Sequence, residues 1–88
     1  MNTPVNQTIE VTSLAFARRP RSSRLEAFPR RMVWEDREYS FAEIGMHFLV
    51  RKGQELVRLF DVSDGQNDYR LKCDSQNHWT LVSMRAAA

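Results

Sequence analysis

The chain reads as an all-β, single antiparallel meander of five to six strands, curled into a β-roll or a small, partly open barrel. Three observations predict this. Apolar residues recur with a period of two over residues 32–84, turn-forming residues interrupt them at short intervals, and no segment carries a sustained helical stripe. Curling follows from residues 56–63, where Phe60 and Val62 alternate with Val57 and Leu59. A strand apolar on both faces must be covered on both, which a single flat sheet cannot do.

The elements follow in order. Ile9 and Val11 alternate in one phase and Leu14 and Phe16 in the other, which predicts a strand with a bulge between Val11 and Leu14, or an edge strand. Met32 and Trp34 open a second strand, and Glu35 and Asp36 turn it into Tyr39 and Phe41, with Met32, Trp34, Tyr39 and Phe41 on one face. Ser40 followed by Glu43 has the form of a capping box, so one short helical turn over residues 40–45 is an open alternative to extended chain. Ile44, Met46, Phe48 and Val50 then alternate into a turn at residues 51–54. Asp64, Gly65, Gln66, Asn67 and Asp68 give the strongest turn signal of the chain. Beyond it Tyr69, Leu71 and Cys73 alternate with Arg70, Lys72 and Asp74, and a last turn leads into a strand over residues 79–84.

At 88 residues the chain fills one domain. Its expected organisation is a flexible N-terminus over residues 1–8, a single β domain over 9–84 with a basic loop at 17–31, and a tail at 85–88 whose alanines resemble vector-encoded residues. A core this small leaves a net stability of about a few kcal/mol, so each central side chain matters.

Charge carries the functional signal. Arg18, Arg19, Arg21, Arg24, Arg30 and Arg31 fall within one stretch opposed only by Glu26, a local charge of six minus one, or +5. The other seven basic and ten acidic residues sum to −3. Guanidinium forks grip phosphate oxygens two at a time, so this patch suits a polyanion. Pro20 and Pro29 exclude a regular helix through the stretch and argue for an exposed connection. Loops of this length are commonly functional.

The expected function is therefore a non-enzymatic accessory domain that binds the phosphate backbone of DNA or RNA through this loop. Arg51 and Lys52 are expected to add charge, and Phe48, beside His47, is the best candidate for an exposed ring on which a base could stack. Core packing claims most of the other aromatics, Trp34, Tyr39, Phe41, Phe60, Tyr69 and Trp79. The alternative expectation is a protein-interaction or homo-oligomerisation module, in which edge strands at residues 9–16 or 79–84 pair with another chain.

Other chemistries find no support in the pattern. His47 and His78 have no second ligand at metal-like spacing, and the lone Cys73 is expected to pack as a small apolar group. Asp61, Asp64, Asp68 and Asp74 fall where turns usually place acids, so no catalytic, metal or cofactor site is expected. No apolar run approaches membrane-spanning length and residues 1–10 lack a signal core, so no membrane partner is expected and the cytoplasm is the expected compartment.

Several positions together also resemble a known family. Ile9, Glu10 and Val11, then Trp34 and Tyr39, Glu43 and Ile44, and finally Tyr69, Leu71, Asp74, Trp79 and Leu81 resemble the pattern of a family of small uncharacterised bacterial β domains. These occur alone or appended to the C-terminus of translesion-type DNA-repair polymerases. The resemblance implies the fold and, by association only, a DNA-repair setting. Between Trp34 and Tyr39 this chain carries Glu35, Asp36 and Glu38, where the family commonly has small or basic residues.

Overall fold

The computed structural model describes residues 3–18 and 25–86, which form one antiparallel sheet of seven strands with no helix among them. In chain order these are β1 (Thr3–Arg18), β2 (Leu25–Trp34), β3 (Arg37–Ser40), β4 (Glu43–Lys52), β5 (Glu55–Ser63), β6 (Asn67–Cys73) and β7 (Trp79–Ala86). Their order across the sheet is β3-β2-β1-β7-β6-β5-β4.

Bulges curl this sheet. Val11 opposes Met32, Ser13 opposes Arg31 and Leu14 opposes Pro29, so Thr12 is extra in β1 and Arg30 is extra in β2. The broken alternation between Val11 and Leu14 predicted this slip. Further slips lie between Pro4 and Gln7 in β1, between Ile44 and His47 in β4, and at Val82 in β7. Each bulge bends its strand and adds twist. At the β4 slip a Cβ on Gly45 would lie 3.2 Å from the Asp61 carbonyl oxygen, a tight contact that favours glycine there.

The extent of the curl can be read from one contact. β2 and β5 are four ladder steps apart, about 19 Å in a flat sheet. Yet Phe28 and Phe60 meet with ring centroids 6.0 Å apart. The inner face so enclosed buries Met32, Phe41, Phe60, Val62, Leu71 and Leu81 among others. Tyr69, Leu71 and Cys73 point into it as their alternation predicted, while Arg70 is exposed. On the opposite face Phe48 stands across from Leu59, and Val50 from Val57.

Turn chemistry fixes the hairpins. Glu35 and Asp36 both adopt positive φ, 52° and 61°, the backbone of a two-residue I′ turn that pairs Trp34 with Arg37. Gly53, with φ 64°, opens the turn that pairs Lys52 with Glu55.

Several expectations are corrected. The strands number seven rather than five or six, and the ladder is not closed into a barrel. β1 begins at Thr3, within the segment read as a flexible N-terminus, because residues 3–9 pair with β7. The basic loop expected over residues 17–31 is shorter, since β2 starts at Leu25 and includes Arg30 and Arg31. Pro29 is tolerated in that strand beside the slip at Arg30, where the ladder is already irregular. No helical turn forms at residues 40–45. There the Phe41 N–H donates to the Arg30 carbonyl at 2.8 Å and the Ala42 N–H to the Ser63 carbonyl at 2.8 Å, so neighbouring strands take the donors that a helix would use. Residues 79–84 are not an edge strand, since β7 pairs with both β1 and β6. In β1, residues 3–9 pair with β7 and residues 10–18 with β2, so residues 10–16 keep one open side, while the outermost strands of the order are β3 and β4.

Truncation at two leucines should separate core from surface. Leu71→Ala removes a fully buried side chain and should cost about 2–5 kcal/mol, leaving much of the chain unfolded. Leu14→Ala, at a site 44% exposed, should change stability by less than about 0.5 kcal/mol in the same urea titration followed by circular dichroism.

Candidate nucleic-acid interface

Neighbouring strands run antiparallel, so successive hairpin connections alternate between the two ends of the curled sheet. The paired ends of β1 and β2 at Arg18 and Leu25, the β4–β5 turn at Gly53 and Gln54, and the β6–β7 turn belong to one end. The β2–β3 turn at Glu35 and Asp36 and the β5–β6 turn at Asp64, Gly65 and Gln66 belong to the other. An opening at the first end is lined by Phe16 and Ala27 from the β1–β2 hairpin, Leu49, Leu56 and Arg58 from the β4–β5 hairpin, and Ser75 and Asn77 from the last turn. Three connections distant in sequence therefore share one rim.

The expected binding residues divide between this rim and other places. Arg51 and Lys52 close β4 at the rim, both exposed. Arg19, Arg21, Arg24 and the side chain of Arg18 lie outside the described residues; the strands that lead to them end at Arg18 and Leu25, which pair with each other at the same end. Arg30 is exposed at the β2 bulge, away from the rim, and Arg31 is exposed 4.0 Å from Glu38. Phe48 does not join Arg51 and Lys52 as an open ring. It is half-buried, and the Arg70 guanidinium sits 5.4 Å from its ring centroid.

Arg58 was missed by sequence reasoning. It is exposed, opposite Leu49 and Cys73 in the ladder, and lines the opening. Strand periodicity puts Arg58 on the face of Phe60, but its place at the rim depends on strands distant in sequence. His47, read as a polar packing residue, stacks on Phe60 with centroids 4.7 Å apart and planes 9° apart, and Phe28 meets it edge-on at 5.4 Å. Those rings lie beneath the opening.

Acids of the scaffold are largely engaged by near neighbours. Asp61 receives a two-pronged contact from Arg70, at 2.8 and 3.0 Å, and Asp68 accepts from Arg85 at 3.2 Å. At the β5–β6 turn Asp64 accepts from the N–H groups of Gln66 and Asn67 and from the Tyr69 hydroxyl, at 2.7–2.8 Å. Asp74 accepts from the N–H groups of Gln76 and His78 at 2.9 Å. Among the described residues no carboxylate forms an ion pair with Arg51, Lys52, Arg58 or Arg30. The cations at this end are thus left without an ion pair among the described residues, although Asp74 lines the same opening and Glu55 faces Lys52 in the ladder.

Those turn bonds shift titrations. Burial works to raise the Asp64 carboxyl, yet the N–H groups of Asn67 and Gln66 and the Tyr69 hydroxyl hold it below its usual range. Asp74 is lowered chiefly by the His78 N–H, against a smaller opposing effect of desolvation, with Gln76 and the His78 side chain assisting. Burial, with Asp64 alongside, pushes the Tyr69 phenol up to about 12. Burial likewise raises the Cys73 thiol, so the thiolate is disfavoured there. Among the described residues no group of three or more His, Cys, Asp or Glu is arranged to hold a metal ion.

No protein-family model, curated protein or solved structure matches this chain.

The pH dependence has a definite sign at each limb. Asp64 and Asp74 have lowered folded pKa values, so their contribution is present above the ordinary carboxylate range and is lost as pH falls through those values. Tyr69 is raised, so its contribution is complete below pH 10 and is lost as pH climbs towards 12. That rise corresponds to about 3 kcal/mol. Thermal melts across pH should show both limbs, and Tyr69→Phe should shrink the alkaline one to the part that the raised Cys73 thiol supplies; a wild-type-like alkaline limb in that variant would contradict the assignment.

Proposed function

We propose that this domain is a non-enzymatic, cytoplasmic accessory module that binds the phosphate backbone of DNA or RNA at its basic end. One observation carries the reading: Arg51, Lys52 and Arg58 stand exposed, and without carboxylate partners among the described residues, at the end where the strands flanking the arginine-rich connection stop. A phosphate backbone needs several outward cations that are not already neutralised within the protein. The resemblance to domains appended to translesion-type polymerases supports a DNA-repair setting. Contacts of this kind position a protein on nucleic acid without reading its sequence, and no recognition helix is present among the described residues.

Fluorescence titrations against single-stranded DNA, duplex DNA and RNA over a range of salt test this directly. Log affinity should fall linearly with log salt. Replacing Arg18, Arg19, Arg21 and Arg24 with glutamine should flatten the duplex slope by about three to four. Replacing Arg51, Arg58 and Lys52 with glutamine should flatten it by about two to three, whereas Lys72→Gln, on another face, should leave it unchanged. Equal slopes for all four proteins would overturn the proposal.

A further inference from the structure

We infer that β4 is the interface through which two copies of this chain associate, edge to edge and antiparallel about a two-fold axis. The inference rests on β4 and shares Arg51 and Lys52 with the phosphate reading, so Met46 and Leu49, which that reading does not use, carry the separate test. β4 is the longer of the two outermost strands, ten residues against four in β3, and carries more of the exposed apolar side chains than residues 10–18 of β1, the other stretch open on one side. A free edge presents a row of unpaired backbone donors and acceptors, and proteins that stay monomeric commonly blunt it with charge, proline or short length. Residues 44–50 contain no Asp, Glu, Lys, Arg or Pro.

Exposure points to the same strand. Of the seven large apolar side chains exposed among the described residues, four belong to β4: Ile44 at 39%, Met46 at 68%, Leu49 at 60% and Val50 at 39%. Concentration of exposed apolar surface on one unpaired edge marks an interaction site, whereas scattered single residues would not. The bulge between Ile44 and His47 does not break the strand, since Glu43 and Ile44 resume pairing with Ser63 and Val62 beyond it.

Charge selects the second copy as occupant. β4 carries its acid, Glu43, at one end and its bases, Arg51 and Lys52, at the other. Antiparallel pairing about His47 sets Glu43 against Arg51 of the partner subunit, and Ile44 against Val50 of the partner subunit, each twice by symmetry. A parallel arrangement would set like charges together at both ends. The His47 ring is already turned inward onto Phe60, so it does not obstruct the axis.

Mass measurement on the full chain, freed of nucleic acid, tests this over a concentration series. Sedimentation or light scattering should show a reversible dimer of twice 10.3 kDa. Met46→Lys with Leu49→Lys should raise its dissociation constant by at least about tenfold, with an unchanged circular dichroism spectrum. Arg51→Glu with Lys52→Glu should weaken it comparably, and adding Glu43→Lys to that variant should restore it. A monomer throughout, a dimer indifferent to both sets of substitutions, or failure of the compensating charge to rescue would each overturn the inference.

Discussion

Rings from strands that share no ladder hold this sheet in its curl. Phe28 of β2 meets His47 of β4 and Phe60 of β5, and Phe60 in turn lies 5.5 Å from Trp79 of β7. Each such aromatic pair contributes about 0.5–1.5 kcal/mol beyond its buried area. In a domain whose net stability is only about a few kcal/mol, that is a large share. Two backbone bonds assist at the corner between β3 and β4, where Phe41 reaches β2 and Ala42 reaches β5. Were the sheet to flatten, the face carrying Met32, Leu71 and Leu81 would become wet.

From this curl follows a partial separation of charge along the molecule, since Glu55 and Asp74 share the end that carries Arg51, Lys52 and Arg58. Curling brings the ends of β1, β4 and β6 to one rim, so the cations of the β4–β5 hairpin meet the end at which the arginine-rich connection begins. Glu35, Asp36 and Asp64 occupy turns at the opposite end. Asp64 there is consumed by its own turn, and Asp61 and Asp68 by cross-strand arginines. The net charge of +2 is therefore a poor description of either end.

Much of the fold was legible because strand alternation is a local property. Tyr69, Leu71 and Cys73 face inward as their spacing requires, Met32, Trp34, Tyr39 and Phe41 share one face, and the slip in β1 falls where the apolar phase breaks. What stayed hidden depends on distant partners. Ser40 and Glu43 have the local form of a helix start, yet Arg30 and Ser63 claim the backbone donors beside them. Pro29 reads as a strand breaker until the bulge at Arg30 is known. The same limit applies to the candidate interface. Its richest cluster was visible as composition, but the position of Arg58 at the rim, and the covering of Phe48 by Arg70, arise only when the strands are assembled.

Aromatic nuclear Overhauser effects in isotope-labelled protein examine the cross-sheet contact most directly. The structure requires cross-peaks from the Phe28 ring protons to those of both Phe60 and His47, whose centroids lie 6.0 and 5.4 Å away. Phe28 showing contacts only to its β1 and β2 neighbours, with β4 and β5 otherwise folded, would mean that the sheet is open. The curl, the shared rim and the charge separation built on them would then be wrong.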